Sequence, residues 1–410
     1  MHNMLFKVFI YSISMAVFLF ASTASSRTDS MKELEKTLLT NYSKKFRPGL
    51  DHPGPLLVNM SANLVNLNGI DAVKGVISVV MSFEVTWKDE RLKWDPNQYD
   101  NISYMHLPSD DLWIPPLLLT NPTETITYLA ESNFKVILFP DGTVKWLPAE
   151  IIEASCFINI TMFPFDTQAC FPQFVPWGYT VADVYVFTDP FPVETAYYSE
   201  NGEWEYIKST QNHGYHSILP LVSFGLYFKR RYQYFLINLI VPIVIVDVLN
   251  NMVFLLPCES GERISFSITV LLSYVVFLTM FSDFIPRNAL AMSLICYYLL
   301  YVLLGSFMIT LANIASIRVY HATRPIPAWL KYLFCRCSRN TIVASYSDTG
   351  DDKEVLEKTT SKYKHNSKGN NSVGGDLTWM KISSLLDKIF FCVFFLYNVI
   401  LNAHYFTHIV

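Results

Sequence analysis

Three apolar runs dominate the second half of the chain: Phe235 to Leu256, Ile264 to Ile285 and Leu290 to Ile314, joined by short connections. At about 1.5 Å per helical residue, each is long enough to cross about 30 Å of hydrocarbon. Asp247 and, near the end of the second run, Asp283 are the only charges within them. A fourth run, Ile389 to Phe406, is similar but carries Asn398, Asn402 and His404 in its second half. Helices this apolar need lipid or protein around most of their circumference, which rules out a water-soluble globule. Charge agrees, since only 16% of the 410 residues are Asp, Glu, Lys or Arg, against about 25% in ordinary soluble domains. The near balance of 31 basic and 35 acidic residues argues against nucleic acid as a partner. The 30 Phe, 24 Tyr and 8 Trp argue against disorder of the whole chain.

Residues 1–24 carry Lys7, the apolar stretch Val8 to Phe20 and the small residues Ala21-Ser-Thr-Ala24. That order reads as a secretory signal peptide cut near Ala24, because the apolar stretch is too short to span. The chain beyond Ala24 then belongs in an oxidising, glycosylating compartment. Four sequons, at Asn41, Asn59, Asn101 and Asn159, all precede residue 231. With residues 25–231 exported, three crossings in 232–318 and a fourth in 381–410 place residues 319–380 in the cytosol and both termini outside. The cluster Arg318, Arg324, Lys331, Arg336 and Arg339 after the third run fits that orientation. The expectation is a multi-pass plasma-membrane protein.

The exported part is built of short alternating runs such as Val76 to Trp87 and Phe134 to Phe139, the latter leading into Pro140-Asp-Gly142. Alternation bounded by turn residues reads as an immunoglobulin-like antiparallel β-sandwich, to be joined to a four-helix transmembrane bundle. Met31, Leu34, Leu38 and Leu39 stand at helical spacing and predict a short helix over 31–39. Cys156 and Cys170 are the only cysteines of this region. In an oxidising compartment they should pair, stabilising the fold by roughly 3 kcal/mol on a chain-entropy basis.

The segment between those cysteines, Cys156-Phe-Ile-Asn-Ile-Thr-Met-Phe-Pro-Phe-Asp-Thr-Gln-Ala-Cys170, resembles the signature of the Cys-loop receptors, the pentameric neurotransmitter-gated channels. Other marks of that family stand in order along the chain: Trp87-Lys-Asp-Glu-Arg-Leu-Lys-Trp94, Trp113-Ile-Pro-Pro116, Asn201-Gly-Glu-Trp204, Pro242 inside the first span, and Gly261-Glu-Arg-Ile-Ser265 before the second. The resemblance covers nearly the whole chain from about residue 30. It is similar to the cation-selective branch of nicotinic and type-three serotonin receptors, and Pro325-Ile-Pro-Ala-Trp-Leu330 looks like the serotonin type.

On a helix, Ser265, Thr269, Leu272, Val276 and Met280 of the second span share one stripe, with Glu262 and Asp283 at its ends about 30 Å apart. Five copies around an axis, as the resemblance implies, would turn each position into a ring. Carboxylates at the mouths would attract cations, and Leu272 and Val276 would close the path by dewetting. For an isolated span the hydroxyls would simply be back-bonded to the helix's own carbonyls. The anion-selective branch usually has Pro-Ala before the basic residue where Gly261-Glu262 stands here, so the expected permeant ions are monovalent cations.

The resemblance further implies that Asp166 of the disulfide loop attracts Arg230, the residue at the family's pre-span arginine. The alternative for Arg230 is a headgroup-facing, snorkelling side chain. The family's neighbouring acid falls near Ala72, with Asp71 beside it. Trp177 takes the place of the central tryptophan of the family's aromatic ligand box, but the other rings are missing. Thr120 and Ser82 stand at two further positions, Leu219 at a third, and Tyr215 is the only aromatic of its hairpin. Each lost ring removes about 0.5 to 2 kcal/mol of attraction for a cation. The expected ligand is therefore a small molecule other than acetylcholine, amphipathic or cationic, with Glu84 as a possible charge partner. His213 and His216 lack a third ligand, so a solvated loop competes there with a metal or pH role.

Ala328 to Phe334 reads as a short amphipathic helix at the inner surface, Cys335 and Cys337 as acylation sites or plain thiols, and residues 341–375 as a disordered polar stretch. No nucleophile stands beside a base, and no cofactor motif is present. The first expectation is a subunit of a pentameric ligand-gated cation channel, partnered by four further subunits and membrane lipid. The alternative is a non-conducting or auxiliary membrane-anchored binding subunit that needs partner chains.

Overall fold

A computed structural model describes residues 27–130, 134–285, 292–327 and 378–409. The expected signal peptide, the helix over 328–334, Cys335 and Cys337, and the polar stretch 341–375 lie outside the described residues. Two compact units are present: one holds the chain up to Tyr234 together with Asp283–Ser293, the other Phe235–Ser282 and the chain from Leu294 onward.

The first unit opens with helix α1 (27–39), longer than the spacing predicts, which buries Leu34 and Leu38 on the core. Two sheets complete it. One carries the order β10-β1-β2-β6-β5-β3, with β7 also on β2; the other carries β11-β12-β9-β4, with β8 on β12. The strands are β1 (Leu56–Asp71), β2 (Val76–Lys88), β3 (Met105–Pro108), β4 (Leu117–Leu119), β5 (Lys135–Leu138), β6 (Thr143–Trp146), β7 (Ala149–Ser155), β8 (Thr167–Cys170), β9 (Gln173–Pro176), β10 (Val184–Phe187), β11 (Trp204–His216) and β12 (Leu219–Arg230). The alternation of β2 sends Ile77, Val79, Met81, Phe83, Val85 and Trp87 inward, as a half-buried strand of period two requires. Phe83, Phe174 and Phe224 meet between the sheets with ring centroids 5.2 to 6.0 Å apart. One pairing departs from the antiparallel expectation. β10 lies parallel to β1, because it reaches that edge by a long connection rather than a hairpin.

The Trp87-to-Trp94 motif ties α1 to this sandwich. Buried Asp89 accepts from Arg91 Nε at 2.8 Å, Arg91 Nη2 at 2.7 Å and Tyr42 Oη at 2.9 Å. Burial pushes the Tyr42 phenol well above its ordinary pKa, which keeps it a donor. The Pro140–Gly142 turn packs onto the same place: Gly142 has φ +83°, and a Cβ there would stand 2.6 Å from the Asp89 carbonyl oxygen. The Asp141 carboxyl is held below its usual range by the Thr143 hydroxyl and N–H. Gly142→Ala is therefore expected to cost about 2 kcal/mol or more, measured as a lower melting midpoint of the full chain.

Among the described residues the second unit holds four helices long and apolar enough to cross a membrane: α2 (Gln233–Leu255), α3 (Arg263–Ser282), α4 (Leu294–Tyr320) and α5 (Trp379–Ile409). Pro242 has no N–H for the carbonyl four residues back, and the turn before it, Leu236–Ile240, is π-wound. α4 and α5 extend beyond the apolar runs, to Tyr320 and from Trp379. Hydropathy marks only the part of a helix that must face lipid, and both extensions bury polar side chains against each other. Asp247 is buried among all four helices: it accepts from Tyr274 Oη of α3 at 3.5 Å and Asn402 Nδ2 of α5 at 3.2 Å, and Tyr298 of α4 donates to Asn402 Oδ1 at 2.9 Å.

Candidate functional site

Helix α3 has two unlike faces. Arg263, Ser267, Val270, Tyr274 and Phe281 are buried, whereas Glu262, Ser265, Thr269, Leu272, Val276, Met280 and Asp283 are all exposed. Leu272 is 61% exposed, a large apolar group with nothing over it. Gly261, at φ +70°, makes the left-handed turn that starts the helix. The Thr269 hydroxyl donates to the Ser265 carbonyl at 2.9 Å, so the back-bonded arrangement is present, while the side chain still faces outward.

The candidate ligand residues fall on both sheets. Thr120 and Trp177 lie at the β4–β9 edge of the five-stranded sheet, where the Trp177 N–H donates to Pro116 O at 2.8 Å and the Thr120 N–H to Gln173 O at 2.8 Å. Tyr215 and Leu219 sit at the tip of the β11–β12 hairpin, joined to the loop after Trp177 by the Val181 N–H donating to Ile218 O at 2.9 Å. Trp177 and Tyr215 are exposed, at 53% and 71%. Ser82 and Glu84 lie on β2 of the other sheet. Tyr179 escaped sequence reasoning. It stands two residues past Trp177 with its ring edge-on to Trp113 and its hydroxyl accepting from Trp113 Nε1 at 3.3 Å. Its spacing from Trp177 was the available signal.

The disulfide loop is closed, Cys156 to Cys170, and its Asp166 forms an ion pair with Arg230. Arg230 Nε donates to Asp166 Oδ1 at 2.8 Å, Nη2 to Oδ2 at 3.1 Å, and the Arg230 N–H to Asp166 O at 3.1 Å. The guanidinium also lies 4.2 Å from the Trp204 ring centroid and 5.0 Å from that of Phe163. Arg230 is buried, so the snorkelling alternative does not hold. Asp71 instead caps its own turn, accepting from the Val73 and Lys74 N–H groups at 2.9 Å each.

Two family models match the chain: the neurotransmitter-gated ion-channel ligand binding domain over residues 31–232 and the neurotransmitter-gated ion-channel transmembrane region over residues 239–365. The chain belongs to the neurotransmitter-gated ion channels. Similar proteins include the neuronal acetylcholine receptor subunits alpha-6 of Mus musculus, 30% identical over 77% of this chain and 66% of its own length, alpha-3 of Bos taurus, 30% over 76% and 64%, and alpha-4 of Gallus gallus, 30% over 75% and 51%. The chain spans between half and two thirds of the length of these relatives. These families are ligand-gated channel receptors, not enzymes.

Within this neurotransmitter-gated channel chain, four details bear on the cleft and its surroundings. Glu84 is engaged by Lys145 Nζ at 2.6 Å, which lessens its use as a free partner for a ligand cation. His213 is not simply a solvated loop residue: its Nδ1 accepts from the Thr188 N–H at 3.4 Å and its ring stands edge-on to Tyr185 and Phe187. Among the described residues no group of three or more His, Cys, Asp or Glu side chains could hold a metal. Of the sequon asparagines, Asn41, Asn101 and Asn159 are exposed, whereas Asn59 donates to Asp189 Oδ2 at 3.0 Å.

Proposed function

We propose that the chain is one subunit of a pentameric, extracellular-ligand-gated cation channel of the plasma membrane. Both termini would lie outside, and α3 would line the path. The observation that carries this reading is the exposed stripe of α3, with carboxylates at both ends and bulky apolar groups between them, set against a buried opposite face. The carboxylates and hydroxyls of that stripe gain from facing water in a shared pore and gain nothing from lipid. Sodium- and potassium-like monovalent cations are the proposed permeant ions. Five charges of one sign at a mouth set selectivity, so Glu262→Lys is expected to move the reversal potential towards that of chloride under a salt gradient. An unmoved reversal potential would contradict the pore reading.

The relatives' names point to acetylcholine. For this chain we favour a larger or more amphipathic ligand between subunits, touching Trp177, Tyr215, Thr120 and Leu219 from one subunit and Ser82 and Glu84 from the next. The support is the loss of rings at those positions and the split of the residues between two sheets. Expression of the chain alone, with currents recorded while amines, sterol-like amphiphiles and acid are applied, tests the proposal. Trp177→Ala should then weaken the response to the active compound by about 0.5 to 2 kcal/mol, a few-fold to thirtyfold in half-maximal concentration, if a cationic group rests on it. Surface-expressed chains that never conduct, even with the waist made polar, would support the auxiliary-subunit alternative.

A further inference from the structure

At the start of α3, one residue is clamped from three directions. Arg263, 3% exposed, donates from Nε to Leu256 O at 2.6 Å, just past α2, and from Nη2 to Phe254 O at 3.3 Å, in the last turn of α2. From α5, Asp387 receives Nη1 on Oδ1 at 3.1 Å and Nη2 on Oδ2 at 2.9 Å. From α4, Ser316 Oγ donates to Asp387 Oδ1 at 2.5 Å and Asn313 Nδ2 to the Arg263 carbonyl at 3.1 Å. Ser383 of α5 adds an Oγ–Oγ contact to Ser316 at 3.0 Å. The sequence signal for this is slight, since Arg263 and Asp387 are far apart in the chain and no periodicity links them.

We propose that Asp387, acting through Arg263, is a positioning residue for the pore's inner rim: the buried fork fixes the rotation of the first turn of α3 and so holds Glu262 towards the water path. This inference rests on the pore reading above. Its physics is simple. Glu262 stands immediately before the first turn, its carbonyl accepting from the Phe266 N–H at 2.9 Å with the residue exposed, so locking Arg263 inward fixes the direction in which that turn presents it. A two-bond guanidinium–carboxylate pair fixes direction as well as distance, which a lysine in the same place would not do. Removing one partner would leave a buried charge with poor compensation, whereas replacing both by apolar side chains of similar volume is tolerated far better.

The test needs no agonist. Full-length protein, purified as its natural assembly, carries a cysteine at Glu262 (E262C) or at Asp283 (D283C) and is treated with a charged, water-soluble maleimide, with the modified peptide monitored by mass spectrometry. Asp387→Asn is expected to slow labelling at position 262 by at least about threefold and to leave position 283, at the other end of the same helix, unchanged. Asp387→Glu, which keeps the charge at the wrong length, and the double Arg263→Met with Asp387→Leu should slow position 262 in the same way if Asp387→Asn does not assemble. Equal slowing at both ends, no slowing at position 262, or failure of all three variants to assemble would overturn the positioning role. The pore reading fails separately, through an unchanged unitary conductance in Glu262→Gln, and would leave the labelling result standing.

Discussion

Threonine in place of Leu272 is expected to give a standing cation current with no ligand applied. Leu272 is the most exposed large apolar residue of the α3 stripe, with Val276 one turn beyond it. In a five-fold ring such groups hold the path shut because water and a hydrated ion gain little there compared with bulk. Exchanging an isobutyl group for a hydroxyl and a methyl removes about 1 kcal/mol of that penalty per copy, and so roughly 5 kcal/mol around the ring. At 1.4 kcal/mol per decade this is worth about three to four orders of magnitude in the balance between shut and conducting states. Val275→Thr serves as the control. Val275 is also exposed, but it sits about 100° from Val276 around the helix, off the stripe. Voltage clamp of cells with matched surface protein should show the standing current for Leu272→Thr and not for Val275→Thr. Silence from both, or equal current from both, would count against α3 as the pore wall.

That experiment reads positions visible in the sequence, and the reason they were visible is physical. A helix with one exposed and one buried face writes its orientation in steps of three and four, and Ser265, Thr269, Leu272, Val276 and Met280, all on the exposed face of α3, do so. The β2 strand did the same at period two. The Cys156 to Cys170 pairing came from having only two cysteines in an exported region. Contacts made by residues distant in sequence were not visible. Nothing near Arg263 announces Asp387, nothing near Asp247 announces Asn402, and the parallel edge of β10 on β1 has no local signature. The helices run past the apolar stretches for a related reason: Ser316, Ser383 and Asp387 are polar, so hydropathy stops short of them, yet they are buried against one another. Glu84 shows the same limit on the candidate cleft, because its partner Lys145 comes from another strand.

Removing the Asp166 carboxylate should severely damage the first unit. Asp166→Ala would strand the Arg230 guanidinium between Trp204 and Phe163, where it is buried. It would also take from Gln168 Nε2 one of its two acceptors, leaving the Asn159 carbonyl at 2.9 Å. A buried charge left without its partner costs about 3 to 5 kcal/mol, a large share of the roughly 5 to 15 kcal/mol that holds a typical domain together. The expected result is at least a hundredfold rise in the unfolded fraction, seen as near-complete loss of protein at the cell surface and a lower melting midpoint for whatever assembles. Arg230→Lys should fall between this variant and the native chain, because an ammonium cannot make both the Nε and Nη2 bonds. The double Asp166→Leu with Arg230→Met should recover most surface protein, since neither charge then needs compensation and the Arg230 N–H to Asp166 O bond at 3.1 Å belongs to the backbone. Single and double variants of equal severity would mean that the side chains act separately, and the ion pair would lose its place beside the β8–β12 pairing as a link between the disulfide loop and the end of β12.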